Sequence, residues 1–193
     1  MATKKIKKQT WKPGNMLYPL PAVMVSCGRR GERPNIITIA WTGTVCSDPA
    51  MVSISVRKER YSYDIIKETG EFVINLTTAA LAKATDFCGV RSGKKLDKFK
   101  ETKLTAMPAS TLSCPIIGEA PINIECHVER IIELGSHDMF IAKVTAVDVS
   151  EQYIDDKGRF RLHSAGLMVY SHGEYYALGK KLGGFGFSVK KKD

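Results

Sequence analysis

Apolar and polar positions change their period several times along this chain, and each change marks an element. AVMVSCG is a short apolar run ended by the turn-rich GRRGERP, which predicts a strand. NIITIAWTGTV follows as a β-branched run, SDPA is a tight connection, and MVSISVRK alternates as a further strand. The pattern then switches. SYDIIKETG reads as a short helix capped by Ser62 and stopped by Gly70. EFVINL returns to strand. TAALAKATDFCG predicts a second helix, opened by Thr77 or Thr78 and closed by Gly89, and SGKKLDKFKETKL is a polar connection with one helical turn around LDKF.

The second half is more plainly β. PINIECHVERIIELG and HDMFIAKVTAVDVSE are long strand-like runs parted by Gly135 and Ser136, a hairpin signal. RLHSAGLMVYSHGEYYALG predicts short strands about a His-Gly turn, and the tail is glycine-rich and aromatic. Many strands, few short helices and no regular βαβ alternation predict a mostly β protein with short helical insertions, a β-barrel rather than a Rossmann sheet. No repeat or linker divides the 193 residues. The expected organisation is a basic N-terminal arm over 1–14 and one domain over 15–193 with a Gly-rich C-terminal tail.

Composition narrows the classes. A hydrophobic content of 44% with 25% charged residues suits a globular protein with a sizeable core. No apolar run approaches the ~18 residues of a membrane span, and no apolar secretory segment follows the basic N-terminus, so no membrane association and a cytoplasmic location are expected. Five cysteines without a CxxC pair lack the ligand spacing of a zinc site, so no metal is expected and the thiols read as reduced and mostly buried. The net charge of +9 raises the question of nucleic acid. Its lysines concentrate at both ends and in SGKKLDKFK, and no zinc-finger, RNP or helix-turn-helix pattern accompanies them, so no nucleic-acid partner is expected. The remaining excess suits a small anionic ligand.

Two strands have unusual faces. In 35–42, alternation sets Ile37, Ile39 and Trp41 against Ile36, Thr38, Ala40 and Thr42. The second face is small and mildly polar, with room for a flat ring, although a half-exposed barrel strand shows the same pattern. In 51–57, Val52, Ile54 and Val56 form a core face, and Ser53, Ser55 and Arg57 share the other. Arg57 offers a planar fork for phosphate just before a helix start, where unpaired N–H groups and the dipole favour an anion. Lys58, Glu59 and Arg60 read as solvent groups in the turn. SGKKLDKF supplies a second basic loop, with Ser92 and Gly93 able to expose backbone donors. Of four histidines, His137 is the most suggestive, because it lies at a hairpin tip.

With these residues laid out, the chain resembles the flavin reductase-like family, and within it the flavoredoxins. The resemblance is carried by NIITIAWTGTVCSDPAMVSISVRKERYSYDIIKETGEFVINL, FCGVRSGKKLDKF and GSHDMFIAKV, in that order. It implies a split β-barrel, a homodimer, and FMN bound near the subunit interface. Thr38, Ile39, Ala40, Trp41 and Thr42 match the segment lining the flavin ring. Ser55, Arg57 and Ser62 match the phosphate-side motif, and Ser92, Gly93 and Lys94 match the loop that closes on the cofactor. His137 falls near the nicotinamide approach, where many members carry Gly-Asp-His and this chain has Gly135-Ser136-His137. The implied activity is an FMN-dependent oxidoreductase using NADH or NADPH to reduce flavin or another acceptor. The second implied reading is an FMN electron carrier between redox proteins, without nicotinamide chemistry. The implied partners are a second copy of the chain and either a small nicotinamide or flavin substrate or a redox protein.

Overall fold

The computed structural model describes residues 6–189, so the outermost lysines of both the arm and the tail lie outside the described residues. The strands are β1 (Leu20–Pro21), β2 (Val23–Cys27), β3 (Asn35–Ile39), β4 (Thr42–Ser47), β5 (Ala50–Val56) and β6 (Glu71–Leu76), then β7 (Ala106–Met107), β8 (Ile116–Ile117), β9 (Ile122–Leu134), β10 (His137–Val149), β11 (Met168–Ser171) and β12 (Glu174–Ala177). Among the described residues three α-helices interrupt them: α1 (Tyr61–Thr69), α2 (Ala82–Val90) and α3 (Lys98–Thr102). Seven strands form one sheet in the order β3-β2-β6-β9-β10-β5-β4, every pair antiparallel.

The two ends of that order, β3 and β4, are consecutive in the chain. They are parted only by Ala40 and Trp41, and the Ser55 N–H donates to the Trp41 carbonyl at 2.8 Å. The β-branched run expected as one strand therefore bends at Ala40–Trp41, and the bend closes the sheet into a barrel. A small sheet, β1-β11-β12, flanks it. The chain is a mostly β split barrel.

Side-chain alternation decides what fills it. Val25, Ile37, Ile54, Phe72 and Phe140 point inward, joined by Tyr63, Ile65 and Ile66 of α1. The opposite faces of β2 and β3 send Met24 and Ile36 outward to a second apolar cluster with Cys88 and Phe99 of the α2–α3 segment. Covered on both faces, β2 is buried throughout. The two faces of β5 divide as the alternation predicts: Val52, Ile54 and Val56 enter the core, and Arg57 beyond the strand is exposed. Gly135, at φ 77°, turns the long β9–β10 hairpin.

Two cap expectations are corrected. The residue preceding α1 is Arg60, which makes no side-chain cap, and Ser62 sits inside the first turn, buried and accepting from Asn35 Nδ2 at 2.7 Å. Gly70 does end α1, in the left-handed region at φ 69°. α2 runs one residue past Gly89 to Val90, and its closing residue is Arg91. Gly89 is there for clearance: a Cβ on it would lie 3.3 Å from Thr38 Cβ on β3.

Candidate functional site

Where the barrel closes, the bend at Trp41, the end of β5 and the start of β10 surround a cavity of about 560 Å³. Thr38, Ile39, Ala40 and Trp41 line one side; Ser55, Arg57, Ser136 and His137 come from the neighbouring strand ends. Tyr170 and Tyr175 of the β11–β12 hairpin line it as well, their rings in edge contact at 5.7 Å, with Tyr170 6.5 Å from Trp41. The result is a half-polar cleft edged by aromatic rings, suited to a flat heteroaromatic group.

A second cavity of about 130 Å³ adjoins it, and both are lined by Ile37, Arg60 and Gly89. Its walls are the first turn of α1, the segment after α2, and α3. Arg60 gives the first turn no side-chain cap; the Tyr63 N–H bonds the Arg60 carbonyl at 2.8 Å, and Tyr61 and Ser62 of the same turn line the cavity. Ser62, Arg91, Ser92, Gly93 and Lys98 complete a strongly cationic set, with Glu59 as the one acid. Gly93 is required here, since a Cβ on it would fall 1.9 Å from Asn35 Oδ1. Arg33 fastens the same loop, its guanidinium donating to the Gly93 carbonyl at 2.9 Å.

Nine of the expected residues thus border one continuous cleft: Thr38, Ile39, Ala40, Trp41, Ser55, Arg57 and His137 on the larger cavity, Ser92 and Gly93 on the smaller. Ser62 joins them on the smaller one, by way of the first helical turn rather than a cap. Two expected residues do not join. Thr42 belongs to β4 beyond the bend, its Oγ1 donating to the Ser53 carbonyl at 2.8 Å, and it lines a different cavity under the N-terminal arm. Lys94 is exposed and borders neither cavity, only its backbone N–H reaching Ser92 Oγ at 3.4 Å. Arg57, expected beside phosphate, borders only the larger cavity, with its guanidinium 3.5 Å from Glu59.

Arg60, Arg91, Lys98, Tyr170 and Tyr175 were missed. Arg60 looked like a solvent residue because a turn position carries no face in a periodicity argument; the Arg57–Arg60 turn, closed by a 3.0 Å bond, swings it over both cavities. The two tyrosines lie over thirty residues beyond the nearest other lining segment, and over a hundred beyond Trp41.

Electrostatics follow from this placement. Burial and the nearby Arg57 hold His137 below its ordinary value, so the ring is neutral near pH 7, and its Nδ1 lies 2.9 Å from Ser136 Oγ. Behind it, the Tyr63 hydroxyl donates to buried Asp138 Oδ2 at 2.6 Å, tying α1 to the start of β10. That bond pushes the Tyr63 phenol up to about 12. Among the described residues no cluster of three or more His, Cys, Asp or Glu could hold a metal, and no helix is long and apolar enough to cross a membrane.

The fold is a closed split barrel whose larger cleft opens into a smaller cationic pocket. The sequence model of the flavin reductase like domain matches residues 16–179, and the chain belongs to that family. Its class is therefore that of flavin-related oxidoreductases. The flavoredoxin of Desulfovibrio vulgaris (Miyazaki F) superposes with a TM-score of 0.87 at 32% identity, over 95% of this chain and 100% of that one. An uncharacterised protein of Archaeoglobus fulgidus is 31% identical over 141 residues, 73% of this chain and 78% of that protein. An NADH-dependent FMN reductase of Streptomyces nodosus subsp. asukaensis is 23% identical over 135 residues, 70% and 71% of the two chains.

Proposed function

We propose that the chain binds FMN, with the ring in the larger cavity and the phosphate in the smaller, and uses it to carry electrons from NADH or NADPH to flavin or another acceptor. The observation that carries this reading is the join at Ile37, Arg60 and Gly89, which links a ring-sized cleft to a cationic pocket at a helix start. The donor set fits a monophosphate ester: guanidinium and ammonium groups, two serines, and backbone made approachable by Gly93. Bound FMN supplies two-electron or one-electron chemistry at its ring.

The chain's own residues do the rest. The bend from Thr38 to Trp41 presents backbone along the ring, and Trp41 and Tyr170 limit water at its edge. Arg57 sets a positive charge in the same cavity, which favours a reduced, anionic ring. Neutral His137 stands at the hairpin tip on the approach side, able to hydrogen-bond an incoming nicotinamide. A homodimer belongs to the proposal: β4 is an exposed strand with Val45 49% exposed, and the arm leaves Trp11 and Leu17 uncovered at 73% and 83%.

The likeness to a flavoredoxin favours a second reading, an electron carrier serving redox proteins, and Ser136 before His137 points the same way. Anaerobic stopped-flow mixing of FMN-loaded protein with NADH and with NADPH separates the two. Bleaching of the flavin absorbance is expected. Absence of bleaching by either, with rapid reduction by a redox protein, replaces the first reading with the second. His137→Ala should keep a normal FMN content and slow the bleaching; an unchanged rate removes His137 from the site.

A further inference from the structure

The segment joining α2 to α3 gathers more positive charge than a bound phosphate can use. Arg60, Arg91 and Lys98 already line the smaller cavity, facing a group that carries at most about two negative charges. Lys94, Lys95 and Arg33 are further cations around the same loop, and none of them lines either part of the cleft. Lys94 and Lys95 follow Gly93 directly, where the Lys95 N–H donates to the Ser92 carbonyl at 3.2 Å, and Arg33 is fastened to the Gly93 carbonyl at 2.9 Å. All three are exposed, and among the described residues none has a carboxylate within 4.0 Å. Acids of the adjoining segments are engaged elsewhere: Glu32 faces Arg29 at 3.6 Å, Glu59 faces Arg57 at 3.5 Å, and Asp97 accepts from the Lys100 N–H at 3.1 Å. Neither the fold nor a small ligand in the cleft accounts for these three outer charges. Their partner comes from outside the chain.

One apolar residue stands beside them. Val90, the last residue of α2, is 70% exposed and lines the larger cavity, and Arg91 after it lines the smaller. An apolar spot at the edge of a redox cleft, flanked by one sign of charge, suits a brief contact with a protein of the opposite sign. The charges steer the encounter, and the apolar spot allows close approach at the cleft. We propose that the rim formed by Arg33, Val90, Arg91, Lys94 and Lys95 is a docking surface for an acidic redox protein. The proposal rests on the reading of the cleft as a flavin site, which is what gives a redox protein a reason to dock there. Nucleic acid, the other polyanion that a net charge of +9 suggests, fits less well, because these cations gather round one loop instead of tracking a groove.

The test uses the FMN-loaded full chain, an acidic plant-type ferredoxin as probe and basic cytochrome c as control, with binding read by isothermal titration calorimetry. Ferredoxin should bind at about 20 mM salt and weaken about tenfold by about 200 mM, as exposed charges are screened, and cytochrome c should not bind. Lys95→Glu should weaken ferredoxin about fivefold and keep the FMN content of the unmodified protein. A carbodiimide, which joins a carboxylate directly to an amine, should link ferredoxin to Lys94 or Lys95, read by peptide mapping. Ferredoxin that does not bind, binds without salt dependence, or links only to lysines of the N-terminal arm overturns the proposal. So does a Lys95→Glu chain that binds as tightly as the unmodified one. A single-stranded oligonucleotide that binds more tightly than ferredoxin and displaces it also overturns the proposal, making the rim a nucleic-acid site. A chain that takes up no FMN fails the flavin reading instead, and the titration and cross-links still decide the docking surface, because neither readout needs the flavin.

Discussion

Glu125 and Lys98 are both buried ionisable residues, and the chain surrounds them differently. Glu125 lies on β9, away from the cleft, fully buried, and accepts from the Ser110 and Thr111 N–H groups and the Thr111 hydroxyl at 2.5 to 2.7 Å. Its burial alone would raise its pKa, but those donors hold it below the ordinary value. The neighbouring Asp148 has one oxygen buried without a donor, and burial pushes its carboxyl above the ordinary value. The Glu125 site is closed: both of its oxygens find donors from the loop it anchors. Lys98 bonds two neutral carbonyls, of Ile36 and Cys88, and lines the smaller cavity. Glu125 is answered by donors of one loop, whereas Lys98 joins α2 to β3 through neutral acceptors at the wall of a cavity.

That contrast can be broken by mutation. Glu125→Ala strands two backbone N–H groups and should lower the unfolding free energy by about 2–4 kcal/mol, read from urea melts. FMN affinity of the folded fraction should not change; if it falls in step, the two regions are not independent. The pH sign follows from the lowered pKa: the Glu125 contribution is present in full above 4.5 and lost as pH falls through the depressed value.

The opposite pattern is expected at the cleft. Gly93→Ala forces a methyl into Asn35 and should cost about 1–3 kcal/mol, felt in FMN affinity as the loop moves off Asn35 and Ser62. Titration with FMN and a thermal melt would show which carries the loss. Arg60→Ala should weaken FMN by about 1.5–3 kcal/mol and leave riboflavin nearly unaffected. Arg57→Ala should cost less than about 1 kcal/mol, because that guanidinium is half exposed, shares Glu59 and borders only the larger cavity. A larger loss of FMN in Arg57→Ala than in Arg60→Ala would return the phosphate to the strand end.

Much of the cleft was legible in the chain because strands report their faces. A period of two separated Ser55 and Arg57 from Val52, Ile54 and Val56, and the same rule opened the Thr38–Ala40 face. Gly135 and His137 were readable because a hairpin turn has its own chemistry. Ser62 was placed beside the right helix start and misread as its cap, since an N-cap signal fixes a helix end only to within a residue or two. Lys98 gave no signal. In SGKKLDKFK every lysine looks solvated, and the Asp97 side chain that accepts from Lys100 N at 3.1 Å shows only where α3 begins.

The sequence by itself determined the strands, their inward faces, the principal hairpin and most of the segments that reach the cleft. These are local consequences of side-chain period and turn chemistry. The tertiary structure decided the closure at Trp41, the meeting of Tyr170 and Tyr175 with a strand far earlier in the chain, and which cation is buried. Those depend on barrel curvature and on α3 packing beneath β3 and α2, where long-range contacts choose among residues of identical local chemistry.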